Sequence, residues 1–206
     1  MDKTQTTSFY RMRLPHWEVD RGVYFVTVRL AGTLPREAGE RIRRLVAEAD
    51  GKEGDAWLES QRQIFLALES ALDHSPLNPH LSDKHVAAMC METIHTRQEL
   101  GIWRIIEYAI MPNHIHLFFK LKSGTLREAM VAFKRWTAAR AREILGLKPR
   151  AFWQREWFDH WSRSPGQDQD IVEYIRKNPV KAGLVNNYNQ WPYASWADEG
   201  MECVQV

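Results

Sequence analysis

The stretch IWRIIEYAIMPNHIHLFFKLK, residues 102–122, decides how this chain folds. Two β-rich runs, 102–111 and 114–122, flank Pro112-Asn113, a tight-turn signal, so the segment reads as a β-hairpin. Alternate residues of a strand face opposite sides of its sheet. His114, His116 and Phe118 therefore share one face, and Ile115, Leu117 and Phe119 share the other, which reads as buried. Two imidazoles one residue apart on a strand face can share a divalent cation. An H-x-H pair can equally be plain strand packing, and the hairpin alone leaves both readings open.

Working outward, GVYFVTVRL (22–30) reads as a further strand. Helical spacing of apolar residues marks 35–50, 57–74 and 82–100, the last capped by Ser82 or Asp83. Residues 75–81 read as a loop. Three helices between two core strands is generous, so one of them is expected to belong to an insertion. The segment 125–146 is the clearest helix, with Gly146 as its stop. Its expected apolar side holds Leu126, Met130, Phe133, Thr137 and Ile144, with Arg127, Lys134, Arg135 and Arg142 opposite. The aromatic run 152–164 reads as one strand or two short ones. Residues 165–170 read as a loop and 170–178 as a short helix ended by Pro179, with an irregular tail beyond. This order predicts an α+β fold, an antiparallel sheet with helices packed on it.

The 206 residues suffice for a single domain with a sizeable core. No apolar run approaches the roughly 18 residues of a membrane span, and the N-terminus shows no secretory signal. The two cysteines, Cys90 and Cys203, lie far apart and form no C-x-x-C pattern, which argues against a disulfide framework or a cysteine zinc site and fits a reducing cytoplasm. Net charge is only +2, but residues 120–163 carry eleven Lys/Arg against four Asp/Glu, and residues 36–73 carry six against nine. Part of the surface thus suits a polyanion, a solvated basic face being the plainer reading. Of the nine tryptophans, Trp153, Trp157 and Trp161 cluster. They read as core or, where exposed beside basic residues, as stacking platforms for unpaired bases.

Tyr174 and Asn178 lie one helical turn apart, on one side of their helix. A phenol relieved of its proton can attack phosphorus, and an amide oxygen one turn away can bind a metal. A packing tyrosine and a capping asparagine would show the same spacing. The two motifs together, MPNHIHLFFKL followed by VEYIRKNPVKAGLV, resemble the single-tyrosine HUH transposases. The likeness is greatest to the REP-associated tyrosine transposases of the IS200-like superfamily. LPHWE, GVYFVTVRLAGTLP, GDAWL, FWQREWFDHW and WPYAS extend it in order along most of the chain.

That resemblance implies a ferredoxin-like HUH core in one domain, 1–206, with a helical insertion around 57–100 and an irregular tail over 180–206. It implies His114 and His116 as ligands of Mg²⁺ or Mn²⁺, Tyr174 as nucleophile, and Asn178 as third ligand where insertion-sequence relatives carry glutamine. The implied activity is metal-dependent nicking and rejoining of single-stranded DNA at REP-type hairpins through a 5′-phosphotyrosine. Arg127, Lys134, Arg135, Arg142, Arg176 and Lys177 are the candidate phosphate contacts. A cytoplasmic, nucleoid-associated protein is expected, as a monomer, with a dimer exchanging tyrosine helices as the alternative. A hairpin-binding protein that has lost its chemistry is the main competing reading. A histidine-triad hydrolase is disfavoured because Phe118 stands where its third histidine would be, and a zinc hydrolase because no H-E-x-x-H accompanies the pair.

Overall fold

The computed structural model describes residues 6–11 and 15–199. Cys203 and the rest of the tail beyond 199 lie outside the described residues. A two-stranded hairpin, β1 (Thr6–Arg11) and β2 (Pro15–Val19), precedes the main sheet. The main sheet contains β3 (Val23–Arg29), β4 (Trp103–Ile110), β5 (His114–Leu121) and β6 (Phe158–Ser162). It is antiparallel throughout, in the order β4-β5-β3-β6. The hairpin 102–122 and the strand at 22–30 form as expected. The aromatic run yields one strand, β6, plus an isolated bridge from Trp153 to Leu30.

Helices α3 (Lys84–Glu99) and α4 (Leu126–Leu145) cover one face. With the main sheet they complete a β-α-β-β-α-β core, which is the ferredoxin-like arrangement. The α3 helix starts where Asp83 accepts from the amides of His85 and Val86. The α4 helix opens on a capping box between Thr125 and Glu128 and closes on Gly146, whose φ of 61° suits a residue without Cβ. The Glu18 carboxylate of β2 accepts from Leu126 and Arg127 N–H at 2.8 and 3.0 Å, which seats the first hairpin on the positive end of α4. Val26, Val28, Ile115, Leu117 and Phe119 meet Met130 and Phe133 in the larger of two cores.

The opposite face carries α2 (Gly54–Asp73) and α5 (Pro165–Lys181), with α1 (Arg36–Glu48) packed beside α2. Here Phe25, Phe118, Phe158, Leu68, Leu72 and Ile175 form the second core. The tail leads through a 3₁₀ turn to α6 (Ser195–Glu199). It is docked rather than free, because Ala194 bridges Ala109 and the Trp191 indole donates to the Ile110 carbonyl.

Several expectations need correction. The segment 165–170 is helix, not loop. Ser164 caps it by accepting from Gln167 N–H, and Pro165 stands at the first helical position, where its missing N–H costs nothing. Pro179 does not end α5, which continues to Lys181. Near the C-terminus a proline removes only the bond to the Ile175 carbonyl, and Ala182 N–H still reaches the Asn178 carbonyl at 2.9 Å. The α3 helix belongs to the ferredoxin-like core, which leaves α1 and α2 as the additional helices. Ile144 is exposed, one residue short of the half-buried Leu145. Trp153 and Trp157 are core, whereas Trp161 is only half-buried. Cys90 is a buried thiol whose pKa is pushed up to about 12 by burial.

Candidate metal centre and tyrosine site

The alternation of β5 sends His114 and His116 to the α2/α5 face, where both are fully buried. Their Nε2 atoms stand 3.0 Å apart. Each ring is held from behind. His114 Nδ1 lies 2.6 Å from Asn113 Oδ1, and the Asn113 amide donates to the carbonyls of Leu72 and Ser75. His116 Nδ1 lies 3.0 Å from Thr27 Oγ1, its register partner on β3. When both Nδ1 atoms donate to these oxygens, both Nε2 lone pairs point at one spot. Such convergence is unfavourable unless a proton or a cation lies between them.

Glu69 of α2 supplies a third group. Its Oε2 lies 3.3 Å from His116 Nε2, and Thr27 Oγ1 donates to its Oε1 at 3.4 Å. One ligand atom from each of Glu69, His114 and His116 lies within 4.8 Å of the others, a buried group able to hold a metal ion. Burial alone would raise the Glu69 pKa, but the charge of His116 and its hydrogen bond, with help from His114 and Tyr174, outweigh burial and hold the carboxyl below its usual range. Burial and the neighbouring His116 push His114 down to about 3, so it is neutral, the form in which imidazole binds metal.

The Tyr174 phenol donates to Glu69 Oε2. Its ring lies edge-on to His116 with centroids 5.6 Å apart, and Phe25 and Phe65 complete the packing. Burial, followed by the negative charge of Glu69, drives the phenol pKa well above its ordinary value. Asn178 is buried on the same helix, and among the described residues neither of its amide atoms has a hydrogen-bond partner. Its side chain still lies near enough to Tyr174 to oppose part of that rise. An unpartnered buried amide is costly, and a ligand oxygen awaiting a cation would account for it. At the helix end, Lys181 pairs with buried Asp73 of α2 at 2.8 Å.

The sheet thus brings His114, His116, Tyr174 and Asn178 to one side. The candidate phosphate contacts divide. Arg127, Lys134, Arg135 and Arg142 belong to α4, across the sheet from the histidines. The Lys134 ammonium donates to the Arg155 carbonyl at 2.6 Å and sits over the Trp157 ring, with its pKa lowered to about 8 by burial. Arg142 donates to the Arg150 carbonyl at 3.1 Å. Arg176 pairs with buried Glu107 at 2.7 Å. Arg127, Arg135 and Lys177 are exposed, the last paired with Glu173 at 2.7 Å. Sequence reasoning missed Glu69, Asn113 and Thr27. Only Asn113 carried a visible signal, as the residue next to His114 in the turn.

The IS200-like transposase profile matches residues 78–178, a span holding His114, His116, Tyr174 and Asn178 but not Glu69. Over that segment the chain is similar to the IS200-like transposases.

The curated relatives it resembles are REP-associated tyrosine transposases. A putative one from Haemophilus influenzae is 28% identical over 101 residues, covering 44% of this chain and 57% of that protein. The one from Escherichia coli K12 is 24% identical over 94 residues, 46% of this chain and 54% of that protein. The chain therefore spans somewhat over half the length of these curated relatives. A solved REP-associated tyrosine transposase bound to a REP hairpin shares the fold, with a TM-score of 0.57 and 18% identity over 97% of this chain and 89% of the other.

Proposed function

We propose that this chain is a metal-dependent single-strand DNA transposase that nicks and rejoins DNA with Tyr174 as nucleophile. The observation that carries this reading is the convergence of both histidine Nε2 atoms and the Tyr174 phenol, through Glu69, on one buried site.

A divalent cation, Mg²⁺ or Mn²⁺, held by His114, His116 and Asn178 with Glu69 in the same cluster, would polarise the scissile phosphate and stabilise charge on the leaving oxygen. Glu69 already accepts the phenol hydrogen bond and is the group placed to take its proton. The Tyr174 Oη–P bond forms as the P–O3′ bond breaks, leaving a 5′-phosphotyrosine and a free 3′-OH. A 3′-OH then attacks the same phosphorus, the P–O bond to Tyr174 breaks, and the strand is rejoined. One ester replaces another, so no nucleotide triphosphate is consumed.

A hairpin of REP type is the substrate this reading favours, in keeping with the solved relative bound to one. Tyr174 reaches Glu69 of its own chain, which supports one domain acting as a monomer in cis. Among the described residues no helix is long and apolar enough to cross a membrane, in keeping with a cytoplasmic, nucleoid-associated protein. A second reading, binding without cutting, is supported by the raised phenol pKa, since Tyr174 is not activated by its protein surroundings alone.

One experiment separates the two. Hairpin-flanked single-stranded DNA is incubated with Mn²⁺ and either wild type or Tyr174→Phe. The expected result is nicking and a phosphotyrosyl adduct in wild type, with a loss of roughly 10³-fold or more in the variant. Robust cleavage by Tyr174→Phe would sink the tyrosine mechanism, and binding without cutting by wild type would leave the second reading.

A further inference from the structure

A cavity of about 440 Å³ opens beside Tyr174, and nothing in the strand-transfer reading accounts for its lining. Trp57 and Phe65 come from α2, Phe158 and Trp161 from β6, and Tyr174 from α5. Phe65 lies 4.7 Å from Phe158 and 5.4 Å from Tyr174 between ring centroids, so one aromatic wall runs from the cavity to the phenol. Unlike Trp153 and Trp157, which are spent on the core, Trp57 and Trp161 are only half-buried. Trp17 meets the Trp57 ring edge-on at 6.3 Å and limits its rotation.

The rim is cationic. Arg163 sits 5.0 Å above the Trp161 ring and Arg62 lies on the α2 side, both exposed. Gln61, Gln167 and Asp170 add hydrogen-bonding groups to the walls. Half-exposed indoles with guanidinium groups at the edge are the chemistry that stacks an unpaired base and holds its phosphate. The volume falls within the range of small-ligand sites. Asp170 repels phosphate from the α5 wall and can accept from an exocyclic amine, which turns the base edge toward α5 and the phosphate toward the arginines.

We propose that this cleft binds the unpaired base of a nucleotide adjoining the scissile phosphate, stacked on Trp57 and Trp161. The proposal rests on the strand-transfer reading of Tyr174, because a phosphate at that phenol leaves its neighbouring base within reach of the cavity that opens there. Trp57 and Phe65 come from a helix outside the segment matched by the family model, whereas Phe158, Trp161 and Tyr174 lie inside it.

The test uses the full chain and a DNA hairpin with a single-stranded foot, selected for cutting by wild type or, where nothing is cut, for binding. Abasic sites are scanned along the foot, and affinity is read by fluorescence anisotropy in EDTA, so that cleavage plays no part. One position is expected to weaken binding roughly 10-fold or more, within the range that stacking of a single base spans. Trp57→Ala should show the same loss on intact DNA and no further loss on that abasic DNA, and Trp57→Phe should restore most of it. Losses that simply multiply, or the absence of a sensitive position, would overturn the proposal. Cutting by wild type with a flat scan removes the cleft and leaves the tyrosine reading standing. A sensitive position without cutting removes the tyrosine reading and, with it, the placement of that base beside a scissile phosphate, leaving only a base-stacking cleft.

Discussion

The two faces of β5 are built from neighbouring residues and have opposite characters. Ile115, Leu117 and Phe119 enter a dry core against α3 and α4, where dispersion and area burial are the whole of the interaction. His114 and His116, one residue away each time, enter a face where Glu69, Thr27, Asn113 and Asn178 are also buried. A folded chain tolerates such a polar cluster only when nearly every group is paired. Here the Asn178 amide lacks a partner among the described residues, and the facing Nε2 atoms meet only each other and Glu69. The first face supplies stability and the second spends some of it on a site.

The contrast is sharpest under Phe133→Ala. Emptying the dry core should cost about 3–5 kcal/mol of unfolding free energy while Mn²⁺ affinity of the folded protein is unchanged, as read by denaturant titration and calorimetry. A large loss of metal affinity would show that the faces are not independent. Glu69→Gln should act in the opposite sense, lowering Mn²⁺ affinity roughly 10–100-fold with the α3/α4 core intact by near-UV circular dichroism. An unchanged affinity would remove Glu69 from the metal's surroundings.

The site face should also carry the pH dependence of the metal-free protein. His114 has a lowered folded pKa, about 3, so the unfolded chain binds a proton near pH 6.5 that the folded one refuses. Stability is therefore greatest above about 6.5 and declines as pH falls toward 3, by at most about 1.4 kcal/mol per pH unit for this group. The depressed Glu69 works in the same direction at lower pH, because its contribution is full above the usual carboxylate range and is lost as acid protonates it. Thermal melts in EDTA from pH 7.5 to 4.5 should show the decline, and His114→Asn should flatten its upper part. A melting temperature that rises on acidification would contradict a neutral His114. The smallest effect belongs to Thr125→Ala at the α4 capping box, which should cost about 1 kcal/mol and leave metal binding alone.

Much of this was legible from local pattern. Strand alternation set His114 and His116 apart from Ile115 and Leu117, and the one-turn spacing of Tyr174 and Asn178 put them on one side of α5. The start of α5 was misread because Pro165-Gly166 looks like a turn, when a serine before a proline is also how a helix begins. Glu69 could not be found this way. It lies in an amphipathic helix forty-five residues before His114 in the sequence, and only the docking of α2 against the sheet gives it a partner. The basic residues of α4 show the converse. Their charge was plain, but which face of the sheet they would occupy depended on the topology.

The paired contacts between α2 and α5 bear on how this protein can be cut and recombined. Glu69 and Asp73, one turn apart on α2, hold Tyr174 and Lys181 on α5. The segment that carries the family likeness ends at residue 178 and begins after α2, so it contains neither carboxylate nor the lysine. It is a recognisable unit of sequence but not a transplantable one. A graft made at those boundaries would carry the tyrosine and both histidines while leaving behind the contacts that hold the Tyr174 helix against α2.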